Sequence, residues 1–91
     1  MTLRIERTSD TQVTTIRLIG ELHAEQIGAV AEQIHNTAGT AVLDLDEVTL
    51  VDIEAVRFLQ SCENRNIKIL NSPPYIKEWM LREAASRNKD R

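Results

Sequence analysis

Leu3 and Ile5 alternate with Arg4 and Glu6, so the chain opens on a short strand with one apolar face. Thr8 to Gln12 is polar and turn-like, and Val13 to Ile19 is rich in the β-branched residues that suit a pleated strand. So short a loop joins the two as an antiparallel hairpin. Gly20 ends the second strand, and from about Leu22 to His35 the pattern becomes helical. Ile27, Val30, Ala31 and Ile34 share one face, with Glu25, Gln26, Glu32 and Gln33 on the other. Asn36 to Thr40, with Gly39, supplies the stop. Val42, Leu43 and Leu45 mark a third strand, followed by an acidic loop. A second helix then runs from about Ile53 to Glu63, with Val56 and Leu59, joined by Ala55 and Cys62, turned inward. Asn64 to Asn66 breaks it, and Ile67 to Leu70 is the fourth strand. Ser72, Pro73 and Pro74 signal the start of a third helix. Its buried stripe is Ile76, Trp79, Met80 and Ala84, while Glu78 with Arg82 and Glu83 with Arg87 stand four apart on the outer face.

The order is therefore β-β-α-β-α-β-α, an α/β fold of about four mixed strands. Strands alternating with helices imply parallel neighbours joined by right-handed crossovers. Such crossovers place the helices mainly on one face of the sheet, leaving the other thinly covered or covered by a partner.

Composition narrows the class. Ninety-one residues build one modest core, expected over residues 1–86, with 87–91 as a basic, frayed tail. The apolar fraction, 42%, is that of a globular chain, and with only 3% aromatics the core must be mostly Leu, Ile, Val and Ala. A net charge of −3 argues against a general nucleic-acid binder. Cys62 is the lone cysteine, so an internal disulfide and a four-cysteine zinc site are excluded. The first residues lack a basic segment followed by an apolar run, and no window is apolar enough to span a bilayer. A cytoplasmic protein without membrane insertion is expected.

The strings GELHAEQIGAVAEQI, AVLDLDEVTLVDIEAVRFL and ILNSPPYIKEWM, in that order, resemble the STAS domain of bacterial anti-sigma factor antagonists. Gly20, Glu21 and Leu22 match the end of the family's strand before its first helix. Leu43, Asp44 and Leu45 match the first part of a second signature, and Asp52 matches the aspartate that opens Asp-Ser-Ser-Gly. Pro74, Ile76 and Lys77 have counterparts at the last helix. The resemblance spans about residues 2 to 84 and implies the same β-β-α-β-α-β-α fold. It also implies a role in signal transduction and transcription regulation through protein–protein binding, with no cofactor. The implied partner is an anti-sigma kinase or a stress-signalling assembly; a second reading is a cytoplasmic subunit docking to the ATPase of an ABC-type lipid transporter.

The departures from the family carry information. Ile53 stands where family members carry the phosphorylated serine, Glu54 takes the next serine position, and Ala55 replaces the glycine. Phosphorylation there adds close to two negative charges at a helix N-terminus and releases the partner. Ile53 has no hydroxyl, so no phosphorylation is expected at that position. Thr49 is the nearest hydroxyl before Asp52, a displaced acceptor if modified and a turn residue otherwise. The chain also ends soon after the third helix, where many family members add a strand and a helix. Self-association as a homo-oligomer, or a larger partner, would cover the edge of the last strand.

The expected partner-binding residues are therefore Thr49, Asp52, Ile53, Glu54, Ala55 and Val56. Asp52 also suits a helix N-cap, and capping is compatible with presenting the loop. Asp44, Asp46, Glu47, Asp52 and Glu54 crowd one region but lack the glycine and strict alternation of a calcium loop, so no metal is expected. His23 and His35 lie twelve residues apart, near opposite ends of the first helix. Neither neighbours a serine or cysteine nucleophile in sequence, and no glycine-rich phosphate loop occurs, so an enzyme is not expected.

Overall fold

The computed structural model describes residues 3–89, and side chains as far as residue 85. Arg87, as a side chain, and residues 90 and 91, where much of the basic tail was expected, lie outside the described residues.

The elements follow the expected order: β1 (Leu3–Ser9), β2 (Val13–Leu22), α1 (Ala24–His35), β3 (Thr40–Val51), α2 (Ile53–Asn64), β4 (Lys68–Leu70) and α3 (Pro74–Lys89). They build one four-stranded sheet in the order β1-β2-β3-β4. β1 and β2 form the antiparallel hairpin, with Ile5 opposite Leu18, and the Asp10 N–H donates to Val13 O at 2.7 Å across the turn. β2 pairs parallel with β3, and β3 with β4, as strand–helix–strand crossovers require.

Alternation along the strands divides the sheet into two faces. Thr14, Ile16 and Leu18 of β2, and Ala41, Leu43 and Leu45 of β3, turn toward the helices and are buried. Val30 of α1, Val56 and Leu59 of α2, and Ile76 and Met80 of α3 close the core over them. The opposite face is held open by charge. Arg17 lies against Glu47 and within 3.8 Å of Asp46, while Arg4 pairs with Glu6 at 3.1 Å. These exposed pairs add little stability, but they keep that face wettable.

Three features differ from the sequence expectation. β3 does not stop at Leu45; it continues through the stretch expected as an acidic loop, as far as Val51. β2 likewise runs past Gly20 to Leu22, and the two extensions pair as Glu21 with Leu50 and Leu22 with Val51. Register shifts at Arg17/Ile19 and Gly20/Glu21 accommodate the extra residues, and Gly20 adopts a φ of 109°, easy only for glycine. Parallel pairing supplies the hydrogen bonds that local composition does not advertise. The third difference is Ala84, expected in the buried stripe of α3 but exposed, because α3 packs on α2 rather than flat on the sheet.

Gly39 explains how α1 is returned to the sheet. Its φ is +95°, and a Cβ there would stand 2.9 Å from the backbone oxygen of Gln12, which accepts the Thr40 N–H at 3.1 Å. Gly39→Ala is expected to destabilise the fold by about 1–3 kcal/mol, seen as a lower urea midpoint at unchanged slope. Cys62 is fully buried, and that burial pushes its thiol pKa up to about 11. In native protein at pH 8 it should therefore stay unlabelled by a thiol reagent until denaturant opens the core; labelling in seconds without denaturant would contradict the packing.

Candidate functional site

The parallel strands β2, β3 and β4 all point their carboxyl ends to one end of the sheet, where α1, α2 and α3 begin. In open α/β sheets this end is where binding surfaces are built, because loops and helix N-termini converge there.

Asp52 organises it. It is the N-cap of α2, and its Oδ1 accepts the Ala55 N–H at 2.9 Å. Its Oδ2 accepts the Ala24 N–H, also at 2.9 Å, and Ala24 is the first residue of α1. One carboxylate thus satisfies orphan donors at the starts of two helices, where the helix dipoles also favour its charge. Gln26 completes the α1 start by accepting the His23 N–H at 2.9 Å. The His23 ring lies between two acids, with Nε2 3.0 Å from Glu21 Oε1 and Nδ1 3.7 Å from Asp52 Oδ2. Partial burial works against the charged form of Asp52. The two backbone N–H donors and the adjacent His23 outweigh it and hold the carboxyl below its ordinary pKa. A carboxylate so engaged is a poor proton acceptor, and its chemistry here is positioning.

Beside the cap, Tyr75 at the start of α3 donates its hydroxyl to Thr49 O at 2.7 Å, and the Thr49 hydroxyl donates to Gly20 O at 3.2 Å. Leu50 and Tyr75 are 46% and 44% exposed, two large apolar side chains offered to solvent next to each other's segments. Ile53, the residue after the cap, is half-buried, and Glu54 is exposed with its carboxylate 3.7 Å from Arg57. Glu21, Glu25 and Asp52 gather about His23, and Glu54 follows in the first turn of α2. A shallow depression of ≈ 480 Å³ over His23, Ala24, Glu25 and Asp52 forms the α1 side of the surface.

The expected residues separate on this surface. Thr49, Asp52, Ile53 and Glu54 sit at the mouth of α2 and reach solvent. Ala55 and Val56 are wholly buried, turned into the core by the helical period, and have no side-chain surface to give a partner. The acidic residues do not converge. Asp44 accepts from the Asn71 side chain at 3.1 Å on the open sheet face, Asp46 and Glu47 meet Arg17 there, and Asp52 and Glu54 lie at the helix mouth. Among the described residues no three His, Cys, Asp or Glu side chains come together as a metal cage, and no helix is long and apolar enough to cross a membrane.

Leu50, Tyr75 and His23 escape a sequence reading. Leu50 hides in the acidic stretch until β3 is seen to extend, and Tyr75 follows two prolines that draw attention to the helix start instead. The one local signal is that Leu50 and Val51 put an apolar residue on each side of a strand end.

No family model matches the chain, and no curated protein matches it.

Asp52→Asn tests the double cap. Asparagine keeps one acceptor for Ala55 but turns an N–H₂ toward the Ala24 N–H or the reverse, so one bond is lost. The variant is expected to be about 1 kcal/mol less stable at pH 7. Because the folded pKa of Asp52 is depressed, its ionised contribution is complete above the unfolded pKa of about 4 and is lost as pH falls through the folded value. The gap between wild type and variant should therefore close in urea titrations carried toward pH 2.

Proposed function

We propose that this chain is a STAS-type regulatory module that works in the cytoplasm by binding another protein, without a phosphoserine switch. The fold shared with that expectation supports it, and one observation carries it. Leu50 and Tyr75 are exposed at the carboxyl end of β3, Leu50 two residues before the Asp52 cap and Tyr75 bonded to the Thr49 carbonyl. Buried aromatic and aliphatic anchors ringed by polar groups are what a protein interface uses. Thr49, Ile53 and Glu54 extend the same surface. The partner is a regulatory protein, by resemblance an anti-sigma kinase or a stress-signalling assembly.

Ile53 favours a second reading, docking to the ATPase of a lipid transporter. A half-buried isoleucine at the first position of α2 suits a constitutive contact and has no hydroxyl to modify.

Affinity purification from the native host, read by mass spectrometry, separates these. Wild type should enrich a kinase or sigma regulator, and Leu50→Asp, folded by circular dichroism, should lose it. Glu32→Ala on the far side of α1 should retain it. Enrichment of a transporter ATPase instead, lost in Leu50→Asp, would move the module to the second reading. Equal recovery of every partner by Leu50→Asp would place binding elsewhere. Phosphate found on Thr49 would reinstate a switch at a displaced position.

A further inference from the structure

At the other edge of the sheet the described residues leave a slot open. β4 is an edge strand of three residues, and α3 leans on α2 beside it rather than covering it. Between them lies a groove of ≈ 440 Å³ with Ile69, Met80, Leu81 and Ala84 among its walls. Leu81 is 65% exposed. Gln60 lines the groove although only 8% exposed; its Nε2 donates to Met80 O, while Oε1 is buried with no partner among the described residues. A buried acceptor left unsatisfied costs free energy that an incoming donor would recover. The slot therefore asks for an extended segment, apolar toward the helices and carrying a donor.

The chain contains that segment. β1 is the opposite edge of the sheet, and among the described residues its outer side is unpaired. Leu3, Ile5 and Arg7 share its helix-facing side, because Ile5 and Arg7 stand opposite the buried Leu18 and Ile16. Arg4 and Glu6 share the other side, and on β4 so do Lys68 and Leu70, whose partners Val42 and Asp44 face away from the helices. We propose that β1 of a second copy pairs antiparallel with β4, joining copies head to tail into a continuous sheet. With Ile5 beside Ile69, antiparallel register sets Glu6 opposite Lys68. It also carries Arg7 toward the start of β4, where Gln60 Oε1 and the Glu63 carboxylate lie along α2. Arg7 at present donates to the exposed side chain of Gln33 at 3.0 Å, a contact easily exchanged.

Such a contact joins two different surfaces, so copies add in a chain that stays open or closes into a ring of several. Sedimentation velocity on the whole chain should show mass rising with concentration and passing beyond a dimer. Glu6→Lys and Lys68→Glu should each weaken association by about tenfold, since attraction across the strands becomes repulsion. Mixed one to one, the two variants should associate again, because the lysine introduced in one then meets the glutamate introduced in the other. Leu81→Glu, at an exposed position that leaves the fold intact, should also weaken it. A monomer at every concentration, or a dimer that stops growing, overturns the proposal. So does a mixture that associates no better than either variant, each shown folded by circular dichroism.

Discussion

Two N–H groups, one from the first turn of each of two helices, meet on the single carboxylate of Asp52. That geometry fixes where α1 begins relative to α2, although 28 residues separate Ala24 from Asp52. It can form only if β2 and β3 end at the same height, and they do so because Leu22 pairs with Val51. Asp52 follows directly on that pair, and only His23 separates Leu22 from α1. The cap, the strand register and the two helix starts are thus one constraint. Glu21, His23, Leu50 and Ile53 receive their positions from it.

The same constraint explains what local sequence conveys. Element order follows from periodicity, since Ile16 and Leu18, or Val56 and Leu59, repeat at spacings that belong to one structure type. Asp52 is legible as a cap because capping is a local preference. Its bond to Ala24 is not, because nothing near either residue encodes the other. The stretch from Asp46 to Val51 reads as a loop for its charges, yet it is strand because β2 pairs with Glu47, Val48, Leu50 and Val51 across two register shifts. The charged side chains there cost little, lying on the face where Arg17 meets them. Ala84 fails for a related reason. Its spacing fits a buried stripe, but burial also requires a neighbour, and among the described residues no element covers that side of β4.

The candidate surface is half legible for a similar reason. Thr49, Asp52, Ile53 and Glu54 follow from the position of the second helix, whereas Ala55 and Val56 are lost to its period. A helix entering a core gives up the third and fourth residues after its cap first, since these turn toward the sheet. Tyr75 joins the surface only through a hydrogen bond to a backbone oxygen 26 residues away. Such a contact ties α3 to the end of β3. Ties of this kind matter for binding because ordering a loose loop would consume part of the interaction energy.

Charge completes the argument about Ile53. A phosphoryl group at the first residue of α2 would meet the positive end of the helix dipole, which favours it, but also Asp52, Glu54 and Glu21 close by. In a site with Asp52 already ionised and holding both helix starts, the helix donors are in use. Added negative charge would compete for those donors and strain the cap on which the surface depends. An isoleucine at this position avoids that competition. The physical consequence is that the Asp52 cap and the two helix starts it holds carry no modifiable hydroxyl at residue 53.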